Sequence, residues 1–64
     1  MSLTKREVEV LKLLCEGDSN KLIAHKLAMT QRTVGSHRYN ISRKTGCTNS
    51  AQLGVWAIKQ GLVA

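Results

Sequence analysis

Arg32, Ser36, Tyr39 and Arg43 follow one another at intervals of four, three and four residues, the spacing that lines side chains along one face of an α-helix. With Val34 as origin they fall at about 160°, 200°, 140° and 180°, a ridge roughly 60° wide, with Gly35 and Asn40 on either side. Two guanidinium forks, a hydroxyl, a phenol and an amide support reversible, directional hydrogen bonding. The residues that could hold a metal or act as nucleophile and base, Cys15, His25, His37 and Cys47, stand ten or more positions apart. No pair has the short spacing of a zinc site, and there is no glycine-rich phosphate loop or nucleophile motif. Catalysis is therefore not expected, nor is a metal or cofactor.

The ridge needs a partner rich in acceptors, and the whole chain agrees. Ten Lys or Arg against four Asp or Glu give a formal charge of +6 over 64 residues, which favours a polyanion such as nucleic acid or an acidic membrane surface. No apolar run approaches the roughly 18 residues of a membrane span, and the opening MSLTKREVEV lacks the apolar segment of a signal peptide. Two cysteines are too few for a disulfide framework and read as reduced, small hydrophobes. These features predict a cytoplasmic protein without membrane attachment. With 42% hydrophobic residues a chain this short can close one core, so residues 1–64 are expected to form a single domain.

Helix punctuation supplies the scaffold. There is no proline and no alternating strand pattern, and the caps predict four helices over about 5–16, 20–28, 31–45 and 50–60. Thr4 and Glu7 form a capping box with Leu3 and Val8 as staple, and Gly17 provides the stop. Val8, Val10, Leu11, Leu13, Leu14 and Cys15 make the first helix apolar over a broad arc, opposite Lys5, Glu9, Lys12 and Glu16. Ser19 caps the second helix, whose Ile23, Ala24, Leu27 and Ala28 share a face. Thr30 caps the third, with Met29 and Val34 as staple and Gly46 as stop. Asn49 with Gln52 resembles a further capping box, and Gly61 ends the fourth helix. Gly54 inside that helix costs roughly 1 kcal/mol against alanine, which suggests close packing.

A short helix, a tight turn and a basic helix with only Val34 and Ile41 as clear apolar anchors make a helix-turn-helix pattern. Such a helix fits the major groove of DNA, where arginine forks onto guanine and hydroxyl, amide and aromatic groups meet other base edges. The base-reading candidates are Arg32, Gly35, Ser36, Tyr39, Asn40 and Arg43. Phosphates would be met by Ser19, Lys21, Thr30, Gln31, Thr33, His37 and Lys44, together with helix N-terminal amides. Two places are open to Tyr39, a base contact or packing against the second helix, and His37 could instead close the edge of the core.

These residues resemble the LuxR-type helix-turn-helix domain of bacterial transcription regulators, also called FixJ, NarL or GerE-like. The resemblance runs from LTKREVEVLKLLCEG through SNKLIAHKLAMTQRTVGSHRYNISRKTG to NSAQLGVWAIKQGLV. It implies an all-α, four-helix domain whose third helix lies in the major groove, and whose fourth helix pairs two copies on promoter sites with dyad symmetry. The family's domain usually follows a phosphorylated receiver or a ligand-sensing domain. Thr33, Val34 and His37 match the threonine, valine and histidine of the family's recognition helix. Gly35 departs from it, standing where lysine is common, and Leu22 replaces a frequent glutamate. On the fourth helix, Leu53, Ala57 and Ile58 are expected to face the core. Val55, Trp56 and Lys59 are the candidate dimer contacts, although Trp56 serves equally as a local lid. RNA polymerase is a further candidate partner.

Two rival readings share part of the pattern. The promoter-binding region of sigma factors has a similar helix-turn-helix grammar, but a fourth helix after GCTNS argues against it. A protein-interaction module would dock the same basic ridge on an acidic partner.

Overall fold

The computed structural model describes residues 3–62, so positions 1–2 and 63–64 of the expected domain lie outside the described residues. Four helices follow one another: α1 (Lys5–Cys15), α2 (Asn20–Lys26), α3 (Gln31–Thr45) and α4 (Ser50–Lys59). All four N-terminal caps fall where the sequence puts them. Thr4 accepts from the Glu7 amide while Glu7 reaches back to the Thr4 amide, and Ser19, Thr30 and Asn49 each accept from the amide three residues on. At α4 the box is not reciprocal as expected. The Gln52 amide oxygen accepts from the Thr48 amide at 2.7 Å rather than from Asn49.

The C-terminal ends are tighter than the sequence suggests. α1, α2 and α4 each close with a pair of Schellman bonds, such as Asp18 N to Leu13 O at 3.1 Å and Leu62 N to Ala57 O at 2.9 Å. The αL residue this closure requires is glycine at Gly17 and Gly61, but Ala28 at the end of α2, with φ 54. α2 therefore stops at Lys26, two residues short of the expected 28. Alanine's high helix propensity carries no sign of the turn that falls there.

α1 is the hub, packing against all three other helices, while α2 packs on α3. Leu11, Ile23, Ile41, Val10 and Val34 are fully buried, joined by Leu14, Ala24, Cys47, Leu53 and Ala57. Leu3, Met29, Trp56 and Leu62 close the edges of this core. Two packing expectations for α4 also fail. Ile58 is 58% exposed, consistent with its offset of about 140° from Leu53 around the helix. A Cβ placed on Gly54 would meet nothing within 4 Å, so close packing is not the reason for that glycine.

Candidate nucleic-acid interface

The third helix is held from three directions, and each hold uses a side chain on the face away from the ridge. Val34 and Ile41 sink into the core. Arg38 donates to the Asn20 side-chain oxygen at 2.6 Å, tying the middle of α3 to the first turn of α2. Near the far end, Lys44 Nζ reaches Glu7 Oε1 at 2.7 Å. The final turn is closed by Ser42, which donates to the Cys47 carbonyl at 2.6 Å.

Glu7 is the one buried charged residue among those described, only 3% exposed. Its Oε1 accepts from both Lys44 and the Thr4 amide. The bond from Lys44, followed by that from Thr4, outweighs burial and holds the carboxyl below its usual range. Local sequence gives Glu7 only its capping role. Its place on the stripe of Val10, Leu11 and Leu14, three, four and seven residues on, was the available signal that it turns inward. Arg38, at about 40° from Val34, belongs to the inward stripe that periodicity defines, but nothing local names its partner Asn20.

So held, α3 turns its ridge outward. Arg32, Ser36, Tyr39, Asn40 and Arg43 are all exposed, and Gly35 is half-buried in helical geometry with open space where a Cβ would stand. Tyr39 is 63% exposed, which removes the reading in which it packs on α2. The Ser36 hydroxyl donates back to the Arg32 carbonyl at 3.3 Å, leaving its oxygen as an outward acceptor. The Arg43 guanidinium stands 5.8 Å from the centre of the Tyr39 ring.

The residues expected on phosphates divide into two groups. Ser19, Lys21, Thr30, Gln31 and Thr33 are exposed around the entries to α2 and α3, and His37 is half-buried beside the core edge. Ser19 and Thr30 hold their oxygens against the Leu22 and Thr33 amides at 3.2 and 3.1 Å, so their hydroxyls serve as caps. Lys44 is different, because its ammonium is committed to Glu7. Its partner lies 37 residues away along the chain, out of reach of any local sequence signal. Lys26 is paired with Asp18, whereas Lys21, Arg32 and Arg43 take part in none of the ion pairs among the described residues.

On α4, Val55 is 55% exposed and Lys59 is exposed, while Trp56 is half-buried against the core. Cys47, Ala51, Val55 and Trp56 are among the residues lining a shallow, largely apolar groove. Cys15 and Cys47 are both free thiols, and burial pushes the Cys15 thiol up in pKa. No helix among the described residues is long and apolar enough to cross a membrane.

A capped second helix, a turn through Ala28 and a basic third helix define a helix-turn-helix protein of the DNA-binding class. Residues 1–57 match the family model described as "Bacterial regulatory proteins, luxR family". The chain belongs to that family of DNA-binding transcription regulators. It is 42% identical over 62 residues to the transcriptional regulatory protein MctR of Rhizobium johnstonii, and 44% identical over 62 residues to the transcriptional regulatory protein LiaR of Bacillus subtilis. Each match covers 97% of this chain and 29% of the relative. The crystal structure of the response regulator ChrA, from a heme-sensing two-component system, superposes with a TM-score of 0.90 at 35% identity. That match covers 98% of this chain and 31% of ChrA. The chain thus spans less than a third of the length of the proteins it resembles.

Proposed function

We propose that this chain binds duplex DNA sequence-specifically by laying α3 in the major groove, as the output domain of a response regulator in the bacterial cytoplasm. The observation that carries the reading is the division of α3. The side chains that anchor the helix, Val34, Arg38, Ile41 and Lys44, lie off the ridge, and a row of hydrogen-bonding groups without ion pairs among the described residues points out. Arg32, Ser36, Tyr39, Asn40 and Arg43 read base edges, and Gly35 lets the duplex approach the helix backbone. Lys21, Gln31, Thr33 and His37, with the amides at the starts of α2 and α3, meet phosphates and fix register. The caps Ser19 and Thr30 orient those amides.

Two copies pair through α4 on a two-part site, with Val55, Trp56 and Lys59 at the seam. Exposed Ile58, one turn beyond Val55, widens the same apolar face. The working test is selection of bound duplexes from a random pool at physiological salt. A motif with dyad symmetry is the expected product. Binding without enrichment would leave a non-specific module, and no binding would favour the protein-docking alternative, in which the ridge meets RNA polymerase or another acidic partner.

A further inference from the structure

Arg43 and Tyr39 stand one helical turn apart at the C-terminal end of the ridge, with the guanidinium 5.8 Å from the ring centre, within cation–π range. Neither side chain makes a hydrogen bond or ion pair among the described residues. Tyr39 is 63% exposed and takes no part in the core. One turn earlier stands Gly35, where a Cβ would meet nothing within 4 Å, so the ring does not rest against that position. Each is the other's partner. A long, flexible arginine loses rotamer freedom when both arms of its fork engage a base, and an aromatic plate under the guanidinium removes part of that loss in advance.

We propose that Tyr39 is a positioning residue for Arg43: its ring holds the guanidinium fork for the O6 and N7 acceptors of one guanine in each half-site. The ring face, not the phenolic hydroxyl, sets the preference for that base. This rests on the reading of α3 as the groove helix, and it changes the part assigned to Tyr39 from reader to platform.

The test compares the wild-type chain with Tyr39→Phe, Tyr39→Leu, Arg43→Ala and the Tyr39→Leu/Arg43→Ala double variant, on the duplex selected by the wild type. Thermal melts check that each variant folds, which the exposure of both side chains predicts. Tyr39→Phe should bind within about twofold of wild type, while Tyr39→Leu should weaken binding by about 2- to 5-fold, the range of an exposed cation–π contact. Enrichment of the guanine should fall in Tyr39→Leu and persist in Tyr39→Phe. In the Arg43→Ala background the same Tyr39→Leu change should have no further effect.

Equal losses in Tyr39→Phe and Tyr39→Leu would make the hydroxyl the contact and overturn the proposal. So would an unchanged Tyr39→Leu, or a Tyr39→Leu loss that persists without Arg43. In these cases a motif still selected by the wild type leaves the groove reading standing. A wild-type chain that selects no motif defeats that reading and the proposal together.

Discussion

Replacing Lys44 with methionine keeps the aliphatic stem and removes the ammonium, leaving the Glu7 carboxylate with the Thr4 amide as its remaining partner. Breaking a buried ion pair from one side costs about 3 to 5 kcal/mol. Here Glu7 is enclosed, but the Lys44 side chain keeps 22% exposure. Water reaches the carboxylate once the ammonium is gone, and we discount the loss to about 2 to 3 kcal/mol. For a domain of this size that is on the order of 10 to 20 °C in melting temperature, a large share of the stability available to so small a core. Urea melts of the two proteins near neutral pH measure it directly. A second variant, Glu7→Gln, removes the charge and keeps a group able to accept from Thr4. Combined with Lys44→Met it should recover part of the loss, because no unpaired charge remains. The pH profile supplies an independent sign. A carboxyl whose pKa is lowered by folding contributes stability above its unfolded value, near the ordinary 4.5. That contribution is lost as pH falls through the lower folded value. Wild type should therefore lose stability on acidification below about pH 4.5, with a component missing from Glu7→Gln. A Lys44→Met loss under about 0.5 kcal/mol, the size of a surface pair, would refute the enclosed ion pair.

Other consequences follow from single contacts. Ala28→Gly should stabilise the chain by roughly 1 kcal/mol in denaturant melts, since Ala28 sits at φ 54 and glycine adopts that region without the steric cost. Gly54→Ala should add up to about 1 kcal/mol of helix stability, because the new methyl meets open space. Arg38→Ala breaks the bond to Asn20 and should cost about 1 to 2 kcal/mol. It should weaken DNA binding by loosening α2 against α3, with the salt dependence of affinity unchanged. Val55→Glu should leave the monomer's melting temperature nearly unaltered and reduce binding to a two-part site more than to a half-site, as measured by titration of the two duplexes.

Much of this fold was legible because helix starts are local events. Thr4, Ser19, Thr30 and Asn49 each satisfy an amide three residues away, so the cap and its partner lie within one short string of sequence. Helix ends were less so. Glycine marks its own αL position at Gly17 and Gly61, but Ala28 adopts it too and shows no trace of it in the residue type. The ridge of α3 followed from periodicity alone. What periodicity could not supply was which cations are already occupied. Lys44 and Glu7 are joined across 37 residues, and Arg38 and Asn20 across 18. Long-range polar pairs of this kind depend on how the helices cross. Ile58 is the opposite case, since its angular offset from Leu53 already excluded it from the core.

The central claim is that the outward ridge of α3, and no other face, meets DNA in the major groove. Intermolecular NOEs in an isotope-labelled complex with the selected duplex test it most directly. The account predicts contacts from Arg32, Ser36 and Arg43 to major-groove base protons, with Lys44 showing none. Contacts confined to the sugar edges of the minor groove, or arising from α1 or α4 while the α3 ridge remains free, would contradict it.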